Sequence, residues 1–143
     1  MKYFFWLLLI ILCIITFFTG CSNAGKVNNA RVTIGESSKF SKAEIEQAIN
    51  VAKSNFKGIY GCELKELKYD EKRSDKEIEY LTAAFGSMNG IKADNIIVLF
   101  SEFKTGDEGH IGPGFEANYT YSWHWTLIRD NSESDWIVDS YGF

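Results

Sequence analysis

Cysteine, proline, histidine and positive charge are all scarce in this chain, and each shortage closes a class of explanation. Three cysteines, Cys13, Cys21 and Cys62, cannot make a disulfide framework, and one proline leaves no proline-rich stalk. His110 and His124 are the only imidazoles. Lys and Arg number 15 against 19 Asp and Glu, a formal net charge of −4. That balance argues against nucleic acid as a partner, because binding it needs clustered cations that displace counterions. At 143 residues the chain has the size of one domain, with or without a targeting segment.

What is plentiful lies at the front. Lys2 is the only charge before Lys26, and Tyr3 to Phe18 is apolar except for Thr16. Small residues follow, through Gly20-Cys21-Ser22 to Ala24-Gly25. A short basic start, an apolar run and a small-residue exit describe a secretory signal peptide over residues 1–20. The run falls short of the ~18–20 residues a spanning helix needs.

Cys21 directly after Gly20 resembles the bacterial lipobox, with Phe18 where that motif usually carries leucine. The resemblance implies a diacylglyceryl thioether on Cys21, cleavage between Gly20 and Cys21, and a further fatty-acyl chain, of the palmitate kind, on the new amine. Two acyl chains anchor stably where one does not. The implied product is a lipoprotein on the outer face of a bacterial cytoplasmic membrane. An uncleaved membrane anchor and plain secretion are the competing readings of this segment. With Cys13 removed and Cys21 acylated, Cys62 is alone, so a hydrophobic core must hold the fold. Loss of Lys2 leaves 14 basic against 19 acidic side chains, a net −5 that anionic headgroups would repel.

Residues 21–30 read as the lipidated N-terminus and a flexible polar tether, and 31–143 as a single domain. Val32 and Ile34 alternate with Arg31 and Thr33 as a short strand. Ser41-Lys42-Ala43-Glu44 is a capping box, with Phe40 and Ile45 at the positions of a hydrophobic staple. Ile45, Ala48, Ile49, Ala52 and Phe56 recur on one face, and Gly58 stops the helix, predicting 41–57 as the long helix. Four strands follow. Cys62–Tyr69 carries a phase slip at Lys65-Glu66, a β-bulge; Asn95–Lys104 is apolar on both faces, as in a central strand. Tyr119–Asp130 alternates, and Trp136 to Tyr141 closes after a turn at Asn131–Ser134. Ser74-Asp75-Lys76-Glu77 matches a second capping box, favouring a short helix to Phe85 over a strand.

The expected fold is therefore α+β: one long helix packed on a curved, mostly antiparallel sheet of four to five strands. The element order resembles cystatin-like and cone-shaped nuclear-transport-factor-like domains. Glu36 to Ser41, Tyr69-Asp70-Glu71, Ile96 to Phe103, Trp123-His124-Trp125, and Trp136 with Tyr141-Gly142 are similar to small uncharacterised lipoproteins of Gram-positive bacteria. That resemblance implies no activity. It does not extend to protease inhibition, because the Gln-x-Val-x-Gly loop of cystatins is absent.

No catalytic constellation stands out. Asp107, Glu108 and His110 cluster among glycines in the 105–118 loop and are weak metal candidates, with a spacing unlike an EF-hand or a zinc-protease helix. A solvated hairpin tip is the plainer reading. Cys62 reads as a buried structural thiol, and His124 as a solvent-side residue on the less apolar strand face. No Gly-x-Ser-x-Gly elbow occurs. Tyr119, Tyr121, Trp123 and Trp125 form an aromatic ladder. It is either a binding platform or, the favoured reading, the surface that covers the helix stripe. The chain is expected to be a membrane-anchored, non-catalytic protein- or ligand-binding lipoprotein, with no cofactor. The alternatives are a hydrolase or metal-dependent enzyme sited near 105–118, and a surface exclusion or protective factor.

Overall fold

A computed structural model describes residues 23–85 and 90–143. The expected leader and Cys21 lie outside the described residues. Helix α1, Lys42–Phe56, starts where the capping box places it: the Ser41 hydroxyl accepts from the Glu44 N–H, and the Glu44 carboxylate accepts from the Ser41 N–H at 2.8 Å. Its apolar stripe, Ile45, Ala48, Ile49, Ala52 and Phe56, is buried throughout. Phe40, the other half of the expected staple, is buried in the same cluster.

The five strands lie in sequence order: β1 Arg31–Ile34, β2 Cys62–Tyr69, β3 Ile96–Thr105, β4 Thr120–Ile128 and β5 Ile137–Gly142. β1 runs parallel to β2, and the other pairs are antiparallel, so the sheet is mixed and open. A parallel pair needs a crossover, and α1 supplies it. In β2 the register slips between Leu64 and Glu66. This bulge turns Cys62, Leu64, Leu67 and Tyr69 all toward the buried side, although their sequence phase changes.

The expectation of one long helix against one concave face needs correction. A second helix, α2, spans Glu71–Phe85 and lies on the opposite face. Ile97 opposite Leu127 and Leu99 opposite Trp125 point to α1, while Ile96 opposite Ile128 and Val98 point to Ile78 of α2. A sheet covered on both sides makes its middle strand apolar on both faces. It is an α+β fold with two helices on a five-stranded sheet, not a cone wrapped round one helix.

The second capping box also fails. The Asp70 carboxylate accepts from the Arg73 N–H at 2.9 Å, and the helix starts one turn before the expected site. Ser74 is buried inside α2, and its hydroxyl accepts from the Val98 N–H at 3.0 Å, tying helix to sheet.

The flexible tether is corrected from Asn23 onward. Gly61 N–H donates to the Asn23 carbonyl at 2.7 Å, Gly25 N–H to Lys57 at 3.0 Å, and Lys26 N–H to Cys62 at 2.9 Å. Val27 is buried in the main core, and a Cβ on Gly25 would stand 2.2 Å from the Phe56 carbonyl oxygen. Apolar burial and backbone pairing hold this segment on the domain despite its polar composition.

Candidate functional site

The 105–118 loop joins β3 to β4, as its sequence suggests, yet it folds back on the domain. Gly61 sits at φ +73°, and a Cβ there would lie 1.8 Å from the His110 carbonyl oxygen, so only glycine lets the loop close down. Asp107 accepts from the Asn118 amide at 3.0 Å, while Glu108 and His110 are exposed. A groove of about 500 Å³ nearby is lined by Asp107 and His110, with Lys26, Glu63 and Lys104. Among the described residues no three of His, Cys, Asp and Glu are placed to hold a metal ion. Cys62 is buried beside this groove, and burial pushes its thiol pKa up, away from a reactive thiolate.

The aromatic ladder splits along its length. Trp125 is fully buried against Phe56 of α1, its Nε1 donating to the Ser101 hydroxyl at 2.9 Å. Trp123 and Tyr121 are half-buried around Phe103 and Phe115, and Tyr119 is exposed. α1 crosses the sheet from Trp136, whose Nε1 donates to the Glu44 carbonyl, to Phe56 over Phe103. That path leaves the corner of β4 and β5 uncovered. There Tyr141 stacks on Trp123 at 5.5 Å between centroids, and Phe143 packs 5.9 Å from Tyr121.

The third place was missed from sequence. His124 is not on a solvent face: it is half-buried beside α2, with Nδ1 4.0 Å from Glu77, an ion pair when the imidazole is protonated. Around it a cleft of about 250 Å³ lies between α2 and the sheet, lined by Arg73, Lys68, Glu66, Glu102 and Ser122. The Arg73 guanidinium lies 4.0 Å over the Phe100 ring. Glu66 is engaged by Arg31 at 3.1 Å. Arg73, Lys68 and Glu102 form no ion pair among the described residues. The cleft draws on β2, α2, β3 and β4, so no local spacing announces it. Only the alternation that sets His124, Ser122, Glu102 and Phe100 on one face hinted at it.

The remaining ionic clusters are spent on architecture. Glu71 accepts from the Ser37 hydroxyl, from the Ser38 N–H and hydroxyl at 2.8 Å each, and from the Lys39 N–H at 3.2 Å. Buried Arg129 pairs with Glu44 at 2.8 Å and lies 4.4 Å over the Trp136 ring, joining β4 to the start of α1. No helix among the described residues is long and apolar enough to cross a membrane. No protein-family model, curated protein or solved structure matches the chain.

Proposed function

We propose that this chain is a bacterial lipoprotein, acylated at Cys21 and facing outward from the cytoplasmic membrane, whose domain binds a small charged ligand in the α2 cleft. One observation carries the ligand site: the cleft holds two cations, Arg73 and Lys68, and one carboxylate, Glu102, that no side chain among the described residues neutralises, whereas Glu71 is taken up by the hydroxyls of Ser37 and Ser38 and Arg129 is paired with Glu44. A volume of about 250 Å³ is below the roughly 300–1,000 Å³ of sites for drug-sized molecules, so the ligand is small. Its carboxylate meets Arg73 and Lys68, and its amine meets Glu102 and Glu77. Amino acids and short peptides have that chemistry. Binding is favoured over catalysis because, among the described residues, no nucleophile hydrogen-bonds His124 and no base reaches the Ser122 hydroxyl.

The test is a nuclear magnetic resonance titration of the domain with free amino acids and dipeptides. Saturable shifts centred on Phe100, Glu102 and His124 are expected. Arg73→Ala should weaken them by about tenfold or more, since a hydrogen-bonded charge pair is worth ~1.5–3 kcal/mol. A panel that leaves those resonances unmoved rejects the cleft as the site.

A further inference from the structure

One row of backbone hydrogen bonds runs across an end of the sheet. Gly61 N–H donates to Asn23, Gly106 N–H to Gly61 at 2.8 Å, and Asn118 N–H to Gly106 at 2.9 Å. The row begins two residues after Cys21 and ends one residue before Tyr119. Two residues of chain span at most ~7 Å. Three strand spacings of about 4.8 Å carry the row from Asn23 to Asn118. From Asn23, a group carried on Cys21 would therefore stay within reach of the end of the sheet where Tyr119 enters β4. At that end Tyr119 is 51% exposed and Phe143, packed beside Tyr121, is 83% exposed, while Tyr141 lies opposite Trp125, about 20 Å farther along β4 than Tyr119.

Tyrosines and phenylalanines left open together cost free energy in water unless something covers them. We infer that the Tyr119–Phe143 corner seats in the interfacial layer of the membrane that holds the Cys21 lipid, so that the sheet stands end-on to the bilayer. This rests on the lipoprotein reading above. Tyr119 and Tyr121 offer a ring to the acyl boundary and a hydroxyl to the headgroups, which is why such residues collect at membrane interfaces. The charges nearby do not drive the seating. Lys26, Lys65 and Lys104 face Glu63, Asp107, Glu108 and Glu116, with Lys65 paired to Glu63 at 2.6 Å, so there is no cationic surplus for anionic lipid. Seating on a zwitterionic surface is consequently insensitive to salt. A protein partner on the same rings is the rival occupant.

The experiment uses full-length protein purified from membranes and reconstituted in phosphatidylcholine vesicles containing a spin-labelled lipid. A fluorophore is attached at Tyr119→Cys, at Phe143→Cys or at Tyr80→Cys, the last on α2, where the native tyrosine is exposed. All three native side chains are exposed, so the variants keep the core, and buried Cys62 escapes the label. Quenching by lipid is expected to be at least about threefold stronger at 119 and 143 than at 80, and unchanged at high salt. Equal quenching at all three sites, with intact mass showing diacylated Cys21, overturns the seating and leaves the anchor standing. A bare Cys21 by mass overturns both. Labels shielded in native membranes but open in pure lipid assign the corner to a protein and overturn the lipid as occupant.

Discussion

Glu71 gathers four donors from the turn at Ser37–Lys39, and in doing so ties the approach to α1 to the first turn of α2. Hydrogen bonding, first from the Ser37 hydroxyl and then from the Ser38 hydroxyl, draws its carboxyl down from 4.5 to about 2. A carboxylate lowered in the folded state stabilises fully above its unfolded value, and that contribution is lost as pH falls through the folded one. Acid should therefore erode stability between about pH 4.5 and about pH 2. Glu44 is also lowered, chiefly by the Ser41 backbone N–H, and acts in the same direction. Urea midpoints measured against pH should fall less steeply over that interval in Glu71→Gln. An identical slope would show that the clamp is not felt in solution. The two stretches involved, Glu36 to Ser41 and Tyr69 to Glu71, were each conspicuous in the sequence. Nothing in either one said they were partners, because more than 30 residues separate Ser37 from Glu71.

At the scale of elements, legibility followed how local the determinant is. α1 could be read because its cap and its stripe lie within one stretch of 16 residues, Ser41 to Phe56. The bulge in β2 could be read for the same reason, from a phase slip inside one strand. The start of α2 was misplaced because Ser74 satisfies a capping pattern yet is needed elsewhere, accepting from Val98 on a distant strand. The docking of 23–27 was invisible, since its polar residues conceal the one buried valine and a glycine pressed against Phe56. Gly61 is the comparable case in a loop. Gly61→Ala would place a methyl group into the His110 carbonyl at a positive φ, a combination of clash and backbone strain worth about 1–3 kcal/mol. Faster amide exchange over 107–114 and a lower melting temperature are expected, with the α2–β3 contact unaffected. If exchange there matches the parent, the loop does not depend on this approach.

Over the described residues as a whole, the sheet has helices on both faces but one large core. Among the described residues, the α1 side joins residues from Val27 to Trp136, whereas the α2 side has four buried apolar residues, Ile78, Ile96, Val98 and Ile128. Phe56 stands at the centre of the larger one, touching the rings of Phe103 and Trp125. Phe56→Ala should cost about 3–5 kcal/mol, seen as a loss of cooperative urea unfolding stability. Ile78→Ala, on the thinner side, should cost less and loosen α2 first. If the two cost the same, the cores are not unequal in the way their composition suggests. This asymmetry is also why the His124 cleft escaped the sequence: a thinly covered face shows too few apolar positions to declare that a helix rests on it.

The backbone pairing that captures Asn23 has a last consequence, for range of action. An acylated Cys21 would leave one residue, Ser22, between lipid and fold, too little leash for the domain to swing or to explore the space beyond. A domain of this size is on the order of 35 Å across. It would patrol a layer of about that depth, drifting sideways with its lipid, and anything it captures would have to come down to it.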